Sequence, residues 1–225
     1  MKTSEIERTW NQETRRDEIA LPYEPFRVTA REAAEMRLQF SRVGVAVYGP
    51  PALDPWLVSA LIEEAQEQRR VASWSLVGER KRGQIYQDNI RAHLGPICRE
   101  FLAAGATGAL LKAVTGYSLV PGWSATCLTY YDQPGKHMGL HTDKKDACFI
   151  GLLVYLSSSW PEERPPSPGL QLHIYKDDHG GELLARVTSR ANRIIIFMGS
   201  ELSHARPPLE EGETLMMLNG CYQKA

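Results

Sequence analysis

The sequence has no Cys-x-x-Cys pair, no long apolar run, no strong net charge and no internal repeat. Each absence removes a class of function. The four cysteines stand at 98, 127, 148 and 221. Without a Cys-x-x-Cys pair, neither a zinc knuckle nor a disulfide framework is expected, and such usage suits a reducing cytoplasm. No stretch reaches the roughly 18 apolar residues of a membrane span. The opening "MKTSEIERTWNQETRRDEIA" is charged throughout, so it does not read as a signal peptide. The expectation is a soluble, cytoplasmic protein without a membrane partner. A formal net charge of -1 offers nothing to draw a polyanion, and "ERKR" (79–82) and "TRR" (14–16) read as solvated faces. No nucleic-acid partner is expected either.

What is present is an ordinary globular composition, 43% apolar and 24% charged over 225 residues, which suits one domain without covalent staples. Residues 1–27 read as a polar arm, 28–122 as a mainly helical flank and 123–225 as a β-rich core. In "TAREAAEMRLQFSRVG", Thr29 and Glu32 form a capping-box pattern and Gly44 marks a stop. "GVAVYG" alternates into a short strand. Asp54 before Pro55 starts a second helix. Helical pattern then runs through "DNIRAHLGPICREFLAAGATGALLKAVTG", broken at its glycines. The second half holds short apolar runs such as "ACFIGLLVYLS", "LQLHIY", "RIIIFMG" and "TLMMLNGCYQ", between loops rich in Pro, Gly, Asp and Lys. Helices followed by strands predict an α+β fold with an antiparallel sandwich or jelly roll in the C-terminal half.

One stretch carries chemistry. His141 and Asp143 stand two apart, just before the apolar "FIGLLVYL". In an extended segment those side chains share a side, so a few residues supply two metal ligands. Some sixty residues on, a second apolar strand ends in His204. Two imidazoles and one carboxylate form the facial set that holds Fe(II) and leaves three positions open. A surface turn is the bland reading of His-x-Asp alone.

The ordered segments "LTYYDQPGKHMGLHTD", "LVYLS", "PGLQLHIY" and "NRIIIFMGSELSH" resemble the Fe(II)/2-oxoglutarate-dependent oxygenases, in particular their prolyl-hydroxylase-like members. The resemblance implies a double-stranded β-helix (jelly-roll, cupin-like) with flanking helices, with Fe(II), 2-oxoglutarate and O2 as cofactors and co-substrates. It implies His141, Asp143 and His204 as metal ligands, Tyr131 beside the 2-oxoglutarate pocket, and Tyr155 reaching the far carboxylate. Arg193 and Phe197 match architectural positions.

The sequence departs from this family where a basic residue is expected on the last core strand, because Thr214 stands there. Three accounts are open. Another cation, Arg206 or else Arg80, Arg82 or Arg91, serves instead; Thr214 with the Tyr131 and Tyr155 hydroxyls holds the carboxylate; or 2-oxoglutarate is not used and the iron oxidises its substrate directly. His137 is read as a surface or supporting residue, His93 as a helix-surface residue, and His173 and His179 as without a role. Trp74, Trp123 and Trp160 read as core or rim packing. A small-molecule substrate is expected, such as an amino acid or natural-product intermediate. The alternatives are a protein side-chain hydroxylase and a non-catalytic cupin-like binding module.

Overall fold

The computed structural model describes residues 25–78, 80–81, 84–176 and 181–225. Helix α1 (Ala30–Val43) starts on the expected capping box, with Thr29 and Glu32 bonded reciprocally, and ends on Gly44 in the left-handed region. Strand β1 (Val45–Tyr48) follows. Asp54 caps α2 (Pro55–Val71), and α3 (Pro96–Ala103) and α4 (Gly105–Thr115) complete the described helices.

Between the helices, and just after the last of them, lie strands that sequence reading assigned to a helical flank. These are β2 (Ser73–Val77), β3 (Arg80–Lys81), β4 (Gln84–Ile85), β5 (Gln87–Ala92) and β6 (Leu119–Pro121). The core strands are β7 (Cys127–Tyr131), β8 (His137–His141), β9 (Ile150–Ser159), β10 (Gln171–Tyr175), β11 (Leu183–Thr188), β12 (Arg193–Phe197), β13 (Ser203–Arg206) and β14 (Thr214–Lys224). They join one antiparallel sheet in the order β1-β12-β9-β14-β7-β5-β8-β13-β10-β11, with β2 on β5 and β6 on β14. The segment 87–92 is therefore no helix start; it is an interior strand between β7 and β8.

Strand parity explains the continuous apolar runs. On β9, Ile150, Leu152 and Val154 meet the helices, while Leu153 and Tyr155 point into the sheet's own interior. β12 repeats this with Ile194 and Ile196 against Ile195 and Phe197, and β14 with Met216 and Leu218 against Leu215 and Met217. A strand buried on both faces has no polar side to alternate with. β7 splits in the same way, because Tyr130 packs under α2 and donates to the Ala65 carbonyl while Tyr131 enters the interior.

The cysteines correct the sequence reading. Cys148 and Cys221 form a disulfide, and Cys98 and Cys127 are free and buried. The β9–β14 pairing brings the two halves together across 73 residues, a proximity that cysteine spacing does not encode. The cysteine argument for a reducing compartment falls with it. No described helix is long and apolar enough to cross a membrane.

Glu213 is buried at the turn before β14, where its carboxylate accepts from Ser167 N and Oγ, Glu210 N and Arg164 Nη1. These bonds outweigh its burial and hold its pKa below the usual range. A lowered pKa contributes stability above the ordinary carboxylate range, and that contribution disappears as pH falls through the folded-state value. Glu213→Ala is expected to cost about 3 kcal/mol in denaturant unfolding at pH 7, and less at pH 3, because it strands buried donors.

Candidate metal centre

His141 ends β8 and His204 lies on β13, and the two are direct register partners. Asp143 follows His141 by two residues and is pinned by its backbone N–H, which donates to the Gly199 carbonyl at 2.9 Å. Asp143 Oδ1 is 3.8 Å from His141 Nε2, and Oδ2 is 4.0 Å from His204 Nε2. One ligand atom from each of the three falls within 4.8 Å of the others. Among the described residues this is the group that joins two imidazoles to a carboxylate.

Each ring is turned by its own backbone. His141 Nδ1 faces the Gly139 carbonyl at 2.9 Å, and His204 Nδ1 faces the Leu202 carbonyl at 3.2 Å. A carbonyl can only accept, so both Nδ1 atoms carry the proton and both Nε2 lone pairs face Asp143. Burial, and for His141 the neighbouring His204, push both imidazole pKa values down to about 4. Burial pushes the Asp143 carboxyl up to about 6, against the pull of His141 and Arg91. At neutral pH the set is therefore two neutral imidazoles and one carboxylate, the protonation state that ligation needs.

Below pH 6 a metal must displace the Asp143 proton, so affinity falls as pH falls. Calorimetric titration with Co(II) is expected to show about fivefold weaker binding at pH 5 than at pH 6. Gly199 carries a related expectation. A Cβ there would lie 2.6 Å from Asp143 Oδ2 and 3.1 Å from the Cys148 carbonyl. Gly199→Ala should push the carboxylate out of place and weaken Co(II) binding about tenfold or more, with the fold retained.

The group opens into two chambers. The inner one, about 130 Å³, is lined by His141, Asp143 and His204 with Met138, Leu153, Phe197, Met217 and Asn219. The outer one, about 510 Å³, is bounded by Tyr86, Gln87, Thr142 and Lys144. Arg91 borders both. Phe197 packs edge-on against the His204 ring at 4.9 Å.

Two residues beyond His204 on β13, Arg206 is 1% exposed. Its Nη1 donates to Ser189 Oγ at 2.9 Å and the Gly169 carbonyl at 3.2 Å, and its Nη2 to the Tyr155 hydroxyl at 3.1 Å. The guanidinium lies 5.3 Å from the Tyr131 ring centre and 5.7 Å from that of Tyr155. Every one of these partners is neutral, and no carboxylate pairs with Arg206 among the described residues. Arg206 Nε and the Tyr131 hydroxyl are both buried without a hydrogen-bond partner.

Of the residues singled out in sequence, Tyr131, Tyr155 and Arg206 come together, and Thr214 does not join them. Thr214 is exposed, and its hydroxyl pairs with Ser159 Oγ at 2.7 Å. Along β14 it shares parity with Met216 and Leu218, whose side chains face the helices, so its own leaves the interior. His93 lies past the end of β5, exposed, with its ring 4.6 Å from that of Trp74. Trp74 and Trp123 are exposed, and Trp160 packs at the edge of the interior cluster. The His137 Nδ1 faces the Gly135 carbonyl, and His173 is half-buried beside Tyr175. The Arg80, Arg82 and His179 side chains lie outside the described residues. Asn219 was missed in sequence, although a lone amide inside "TLMMLNGCYQ" is a legible signal; it donates to Thr129 Oγ1 at 2.6 Å.

No family model matches the sequence, and neither does any curated protein. Solved structures do match. The chain is similar to a prolyl-4-hydroxylase from Pseudomonas putida, at 19% identity and TM-score 0.61 over 86% of this chain and 99% of that one. It is similar to an oxidoreductase of the 2OG-Fe(II) oxygenase family from Burkholderia pseudomallei, at 13% and 0.67 over 89% and 94%. A third is HygX from Streptomyces hygroscopicus, with nickel, 2-oxoglutarate and hygromycin B bound, at 14% and 0.59 over 85% and 87%. The α+β jelly-roll architecture expected from the sequence is the fold of this protein.

Proposed function

We propose that this protein is a mononuclear non-haem Fe(II) oxygenase that uses 2-oxoglutarate and O2 to oxidise a C–H bond of a small organic molecule. One observation carries the reading. His204 of a two-His, one-Asp set stands two residues before a buried guanidinium on β13 that lacks an acid partner. A buried cation without a counter-charge is costly, and a bound carboxylate offsets that cost. Two partnerless polar atoms, Arg206 Nε and the Tyr131 hydroxyl, mark where such an anion would bond.

The donor chemistry suits Fe(II): two imidazoles and a carboxylate leave three positions for co-substrate and oxygen. His141 Nε2, His204 Nε2 and Asp143 would hold the ion, with the Gly139 and Leu202 carbonyls fixing both rings. Arg206, Tyr155 and Tyr131 would orient the 5-carboxylate of 2-oxoglutarate, in place of a basic residue at position 214. Met138, Leu153, Phe197 and Met217 exclude water around the reacting carbon. When bound, Fe(II) activates O2 with electrons drawn from the oxidative decarboxylation of 2-oxoglutarate to succinate and carbon dioxide.

A small-molecule substrate is supported by the outer chamber, whose size suits one compact ligand. HygX, with hygromycin B bound, sets a precedent on this fold; the likeness to a prolyl-4-hydroxylase keeps a protein side-chain hydroxylase as the second reading. The test is succinate formation from 2-oxoglutarate, dependent on both Fe(II) and O2. Oxygen uptake with an organic substrate and no succinate would instead indicate a direct Fe(II) oxidase. No iron affinity at all would indicate a binding module.

A further inference from the structure

We propose that Arg91 anchors a carboxylate of the substrate, so that the molecule oxidised here is a small organic acid. This rests on the oxygenase reading above and assigns the second anion of the same site. Arg91 projects from β5 into the cavity and borders both chambers beside His141 and Asp143. Its Nε donates to Asn89 Oδ1 at 3.3 Å and its Nη2 to Gln87 Oε1 at 3.1 Å. Both acceptors are neutral amides, and no carboxylate pairs with Arg91 among the described residues.

Its position is unfavourable for metal binding alone. Arg91 lines both chambers together with His141 and Asp143, so it repels a dication held there. A cation retained beside a cation site requires an anion to offset the repulsion. Under the oxygenase reading the 5-carboxylate of 2-oxoglutarate is assigned to Arg206, so Arg91 calls for a second anion. Asp143 is the one acidic residue in either lining, and metal ligation would occupy it, while Lys144 adds a second positive charge at the outer chamber. The cavity is therefore positive on one side. Its other wall is apolar, formed by Ala125, Met138, Leu153, Phe197 and Met217. A guanidinium fork matches the two oxygens of a carboxylate, and the apolar wall receives a carbon skeleton. The outer chamber, about 510 Å³ against about 130 Å³ inside, has room for such a molecule next to the metal.

The experiment is anaerobic calorimetry on the full chain loaded with Fe(II) and 2-oxoglutarate. The probes are the twenty L-amino acids and a set of aliphatic and aryl carboxylic acids, each paired with its methyl ester. At least one acid is expected to bind, with its ester weaker by about tenfold or more. Arg91→Gln should weaken that acid by about tenfold or more, hold or tighten Fe(II) affinity, and change 2-oxoglutarate affinity by less than about threefold. Thermal unfolding of the variant verifies its fold. Four results overturn the proposal: acid and ester binding equally, the variant keeping acid affinity, the variant losing 2-oxoglutarate instead, or no acid binding the intact chain. Failure of the intact, iron-loaded chain to bind 2-oxoglutarate would refute the oxygenase reading itself, a result seen before any acid is added.

Discussion

Arg206→Met is expected to weaken 2-oxoglutarate binding by roughly 10²–10³-fold while leaving metal affinity and fold intact. The magnitude follows from losing a forked, charge-assisted pair in a dry site, at about 1.5–3 kcal/mol per bond. Methionine fills much the same volume and removes a buried cation whose protein partners are all neutral. The change strands the Ser189, Gly169 and Tyr155 acceptors while it removes a buried charge, so the melting temperature should fall modestly with the fold retained. A merely structural arginine would show the same fall with unchanged 2-oxoglutarate affinity. Calorimetry with 2-oxoglutarate and thermal unfolding on one preparation separate the two.

The second large effect belongs to the metal set. Asp143→Ala removes the only negative charge of the three ligands and leaves two neutral imidazoles, which bind a hard dication poorly. Iron affinity is expected to fall by about 10³-fold or more, and turnover to fall below detection. His141→Ala and His204→Ala should match it in turnover, because the set acts as a unit. The apo protein should not suffer, since burial already disfavours the Asp143 charge. An Asp143→Ala protein that keeps full iron affinity would remove the metal centre from the account.

The parts of this site legible in sequence are those written in short, apolar, parity-bound segments. His141, Asp143 and His204 were legible because each flanks a strand buried on both faces, where a polar side chain needs a reason to be present. Tyr131 and Tyr155 came from the family resemblance, and both enter the interior cluster. Thr214 shows the limit of that logic. It was placed by its distance from His204, but a residue one step off the interior parity of Leu215 and Met217 faces away from the pocket.

Arg91 was harder to place because its strand was hidden. Residues 87–92, "QDNIRA", contain residues that disfavour strands and adjoin a true helix at Pro96. Pairing with β2, β7 and β8 makes the segment extended. The Cys148–Cys221 bridge was illegible for the same reason, as it depends on which strands lie side by side. Local pattern encodes the faces of elements, whereas neighbours 73 residues apart are set by the packed sheet.

The most direct test of the central claim is anaerobic titration of 2-oxoglutarate into the Fe(II)-loaded protein, followed by visible absorption. The account predicts a weak, saturable metal-to-ligand charge-transfer band that titrates with the intact chain and is lost, at the same concentrations, with Arg206→Met. Iron bound without any such band would contradict it, and would point to an oxidase that takes its electrons from the substrate itself.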